Sequence, residues 1–68
     1  MTDIIDAIVD RTIAHTRQLL KSDEIDWPTA HAGLEKVHDG LAVDAPDHPA
    51  LFGLRDFIAE QDRLRRRQ

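Results

Sequence analysis

Two short signals, Asp26-Trp27-Pro28 and Asp47-His48-Pro49, divide the chain into three segments, each with apolar residues at helical spacing. In both, an aspartate is placed to accept from the free backbone N–H groups of a first helical turn, and the proline falls where its missing donor is harmless. The pattern predicts helices over about residues 3–21, 28–39 and 48–66 within a single helical domain, 1–68. The expected fold class is therefore all-α, a small three-helix bundle or hairpin assembly. A chain of 68 residues has little core to offer. Burial at about 25 cal/mol per Å² only roughly balances an ordering cost of about 1.5 kcal/mol per residue, so completion of the bundle by dimerisation is expected.

The first segment takes Thr2 as its expected N-cap, carries Asp3 and Asp6 where a helix start favours negative charge, and ends with Arg17 and Lys21. Ile5, Ile8, Thr12, His15 and Leu19 follow steps of three and four, with Ile4, Val9, Ile13, Thr16 and Leu20 in stripes beside them. A face that wide suits contact with more than one neighbouring helix. In the second segment Ala30, Leu34, Val37 and Leu41 form one inward line, and Gly40 is the expected left-handed C-cap. Gly33 costs helical stability, and tight packing against it is the expected compensation. The third segment places Leu51, Leu54, Phe57, Ile58 and Leu64 on one side, after a linker stiffened by Ala45-Pro46 and His48-Pro49.

Composition excludes several function classes. With no cysteine there is neither a disulfide framework nor a thiolate metal site. No apolar run reaches the length of a membrane span, and Met1-Thr2-Asp3 does not begin a signal peptide, so the expected location is cytoplasmic with no membrane partner. Ser22 is the only serine and stands in a charged connection without a glycine-rich elbow, so nothing positions a nucleophile. Gly33, Gly40 and Gly53 are too far apart for a phosphate loop. The chain reads as non-enzymatic, without catalytic residues or a cofactor.

Three constellations stand out. His31, Glu35 and His38 share a helical face, and Glu35-Lys36-Val37-His38 has the Glu-x-x-His spacing of diiron bundles. The further carboxylates that such a site needs are not opposite it, so a flank of the core is the plainer reading of these three metal candidates. Arg63, Arg65, Arg66 and Arg67 form a basic end in a chain of net charge -4. That end complements a helix dipole, or serves as a nucleic-acid patch, although no aromatic residue interleaves the arginines. Trp27 and Phe52 fall beside the predicted helix starts as candidate anchors for a partner, and His15 interrupts an apolar row as a candidate pH-sensitive contact.

The reading that follows is a small interaction module, a regulator or inhibitor that binds a partner protein as a homodimer. Its expected protein-binding residues are Ile5, Ile8, Thr12, His15, Leu19, Trp27 and Phe52. A bacterial or phage setting is expected from the Ala-, Asp- and Arg-rich usage. A nucleic-acid-binding regulator using the arginine end is the alternative, and a metal-binding bundle the third reading.

Overall fold

The computed structural model describes residues 3–66, leaving the side chain of Arg66 aside. The described residues form three helices and no strand: α1 (Ile4–Lys21), α2 (Trp27–Asp44) and α3 (Pro49–Arg66). No helix among them is long and apolar enough to cross a membrane.

α1 begins one residue later than the sequence suggests. Asp3, not Thr2, is the N-cap: its extended backbone precedes the helix and its carboxylate accepts the Ile5 N–H at 2.9 Å. At the other end Asp23 takes the left-handed conformation, with φ 57°. Glu24 N–H then donates to Leu19 O at 3.0 Å and Asp23 N–H to Leu20 O at 3.3 Å. This is a Schellman closure with aspartate in the position that glycine usually takes.

α2 is capped as the first signal predicts, with Asp26 accepting the Thr29 N–H at 3.1 Å and Pro28 in the first turn. It does not stop at Gly40. The helix runs on to Asp44 and is capped by Ala45, whose N–H reaches Leu41 O at 3.1 Å. Glycine weakens a helix but does not forbid it, and continuing brings Leu41 against the core cluster. The terminator is Pro46, which pushes the preceding Ala45 out of the helical region, to φ -144° and ψ 67°. The expected close approach at Gly33 is also absent, since a Cβ built there meets nothing within 4 Å.

The second signal works differently from the first. Asp47 does not cap α3; His48 does, its Nδ1 accepting the Ala50 N–H at 3.1 Å while Pro49 opens the helix. One shift in register between two similar tripeptides thus changes the capping residue from aspartate to histidine.

The helices run up, down and up. A 2.9 Å bond between His48 and Asp3 joins the starts of α1 and α3, and a 3.2 Å bond from the Trp27 indole to Asp62 joins the start of α2 to the end of α3. Between them lies a core of Val9, Leu34, Leu54 and Phe57, packed round by Ile5, Ile13, Trp27, Val37, Leu41, Ala50 and Ile58. Leu20, Ala30 and Leu51 are buried as well. The predicted lines in α2 and α3 face this core, except that Leu64 is half exposed. In α1 the buried row is Val9 and Leu20 with Ile13 beside them, one stripe over from the row through His15.

Candidate interaction surface

At the pole where α1 and α3 start, two caps are tied into one chain of hydrogen bonds. Ile5 N–H donates to Asp3 Oδ1, His48 Nε2 meets Asp3 Oδ2, and Ala50 N–H donates to His48 Nδ1. Because Nδ1 is an acceptor here, the neutral ring carries its proton on Nε2, and that N–H donates to the carboxylate. The His48 hydrogen bond, followed by that of the Ile5 amide, holds the Asp3 carboxyl below the usual aspartate range. At the start of α2, side-chain hydrogen bonding with Thr29 and then its amide lower Asp26 in the same way.

Asp3, Asp6 and His48 also bring three ligand-type atoms within 4.8 Å of one another. As arranged, they do not fit a cation. Metal coordination would take the Nε2 lone pair, moving the ring proton to Nδ1 and removing the acceptor that caps α3. Two helix N-termini add positive potential at the same point. The Asp3–His48 pair is a latch between helix starts, and sequence reasoning missed it because most of the chain separates the two residues.

The predicted metal candidates lie elsewhere. His31 pairs with Glu35 at 3.2 Å, and His38 Nδ1 lies 3.5 Å from Asp39. Together they line an open groove of about 380 Å³ between α2 and α3, facing Arg55 and Asp62. The three share a face as the spacing predicts, but among the described residues the trio whose ligand atoms converge is Asp3, Asp6 and His48.

The expected protein-binding residues divide into two groups. Ile5 packs on the core, Thr12 and Leu19 are half buried, and Trp27 is a clasp whose ring lies 5.4 Å from that of His31 while its N–H holds Asp62. Ile8, His15 and Phe52 face solvent. His15 therefore lies on the outer face of α1, not in a buried apolar seam. Two exposed apolar residues were not anticipated: Ile4, 75% exposed, and Val43, 79% exposed. Ile4 follows Asp3, Val43 lies in the last turn of α2, and Phe52 stands one turn beyond His48, so all three belong to the latched pole. Their exposure could not be read from spacing alone, since Ile4 and Val43 each neighbour inward-facing residues.

At the opposite pole Arg63 is exposed and Arg65 half buried, with its Nε enclosed and without a hydrogen-bond partner. Arg66 ends α3; its side chain and Arg67 lie outside the described residues.

Compared with known proteins, the chain matches no family model, no curated protein and no solved structure.

Proposed function

We propose that this chain is a non-enzymatic helical interaction module, a regulator or inhibitor that acts in the cytoplasm by occupying a surface of a partner protein. The observation that carries this reading is the set of exposed apolar side chains Ile4, Val43 and Phe52 at the latched pole of the bundle. Single exposed leucines or valines are ordinary on small proteins. A group including an aromatic anchor, mounted on helix ends that are tied together, is the composition of a binding surface. The tie matters energetically because a preorganised surface loses less entropy on binding.

The test is a comparison of immobilised wild-type chain with a Val43→Ser/Phe52→Ser double variant in host extract. Both should show the same helicity by circular dichroism. A protein retained by the wild type and released by the double variant supports the reading; equal retention on both overturns the role of this surface.

A further inference from the structure

We propose, resting on the interaction-module reading, that the partner protein binds the latched pole through a cationic segment, with lysine or arginine side chains set beside apolar ones.

The pole comprises the first turn of α1 with its cap, residues 3–7, and the run from the last turn of α2 to the first turn of α3, residues 41–52. These stretches contain Asp3, Asp6, Asp44 and Asp47 and neither lysine nor arginine. Four of the chain's 13 acidic residues are thus gathered here, and the remaining nine are matched by 9 basic ones, so the whole net charge of -4 belongs to this pole. At the opposite pole Lys21 and Arg63 stand exposed alongside Asp23, Glu24 and Asp26, and the two signs are mixed.

Asp3 and Asp6 lie in the seam with α3, where Asp3 accepts from His48. Asp44 and Asp47 do not: both are exposed and pair with no other described residue. Asp44 follows Val43 directly, and Asp47 stands in the connection between the helices that carry Val43 and Phe52. The exposed apolar residues of the pole are therefore interspersed with negative charge. The end of α2 adds to that field, and the starts of α1 and α3 offset part of it.

Sign and surface together choose the occupant. Nucleic acid and anionic lipid carry the same charge as the pole and are repelled by it. A metal ion would leave Ile4, Val43 and Phe52 uncovered, and Asp3, Asp6 and His48 do not fit one as arranged. A protein segment with basic and apolar side chains on one side answers both features. Its cations steer the approach and face the exposed carboxylates, and its apolar groups cover Val43 and Phe52.

The probe is a synthetic amphipathic peptide of about eighteen residues, a leucine stripe flanked by lysines; its control carries glutamate for every lysine. Titrated into the full chain in about 0.15 M salt, where the screening length is about 8 Å, the lysine peptide should move the amide resonances of Ile4, Val43, Asp44 and Phe52. The glutamate peptide should not. Asp44→Asn/Asp47→Asn should weaken binding of the lysine peptide by about tenfold with helicity unchanged, and Val43→Ser/Phe52→Ser should weaken it at least as much. Asp23→Asn/Glu24→Gln removes the same charge at the opposite pole and should leave the affinity within about twofold. Resonances that stay still or move only elsewhere, equal response to both peptides, or equal weakening by the two charge-removing pairs would each overturn the proposal. So would shifts at the pole on simple dilution of the chain, which would mark a second copy as the occupant. If the peptide fails while Val43→Ser/Phe52→Ser still releases a protein from host extract, the module reading stands and the cationic partner does not.

Discussion

His48 gives the sharpest test of how this fold is held, because one ring performs two separable tasks. Its Nδ1 caps α3 through the Ala50 N–H, and its Nε2–H reaches Asp3 across the start of α1. His48→Ala removes both. Loss of a side-chain cap costs about 1 kcal/mol, and in a domain of this size each kcal/mol lowers the melting temperature by about 4–8 °C. His48→Asn keeps a short capping oxygen for the Ala50 N–H and loses the reach to Asp3. The asparagine variant should therefore recover most of the loss, since the bond to Asp3 is exposed to solvent and weak. Thermal melts followed by circular dichroism at neutral pH rank the three proteins. A second readout is the Ala50 amide itself, whose hydrogen exchange should be faster in His48→Ala than in the wild type and be slowed again in His48→Asn. Equal melting of the alanine and asparagine variants, or an Ala50 amide that exchanges alike in all three proteins, would refute the assignment of His48 as the cap.

Further outcomes follow from the helix interiors and ends. Gly33→Ala and Gly40→Ala should each stabilise by about 1 kcal/mol in chemical denaturation, because both glycines are helical, neither has positive φ, and neither Cβ would meet a neighbour; a loss of stability would reveal a close contact. Asp23→Gly should raise the melting temperature by relieving the left-handed backbone at φ 57°, a gain of about 1 kcal/mol less glycine's greater unfolded entropy. Leu54→Ala, at a fully buried core position, should cost about 3 kcal/mol or more, a large part of the roughly 3–10 kcal/mol that a chain this short commands. The acid limb has a definite sign: Asp3 and Asp26 have lowered folded pKa values, so their contribution is present above the ordinary aspartate value and is lost as pH falls through the lowered ones, below about pH 4. An Asp3→Asn/Asp26→Asn variant should show a shallower acid limb by circular dichroism, and an unchanged limb would count against both caps.

Much of the architecture is legible in local pattern. The number and type of the elements, the inward line Ala30, Leu34, Val37 and Leu41, and the cap at Asp26 all follow from relations within a turn or two, which sequence spacing reports directly. The misplaced features depend on balances that local pattern does not contain. Gly40 resembles a stop, yet α2 passes through it, with Leu41 packed on the core and the exit conformation imposed later by Pro46. Asp47 resembles a cap, yet α3 opens at Pro49, so His48 stands in the cap position and its ring reaches Asp3 as well.

The candidate surface was less legible than the fold. Periodicity indicates that α1 has a broad apolar face, but only the docking of α2 and α3 decides that Val9, Ile13 and Leu20 turn inward while Ile4, Ile8 and His15 remain outside. Trp27 and Phe52 look equivalent beside their predicted helix starts; packing turns the first into a clasp on Asp62 and leaves the second exposed. The sequence by itself determined three amphipathic helices and the means of starting them, because caps and periodicity are short-range physics. Which faces became core, which stayed available to a partner, and which distant side chains joined into a latch were decided by tertiary structure, since burial and hydrogen bonding between helices exist only once the helices meet.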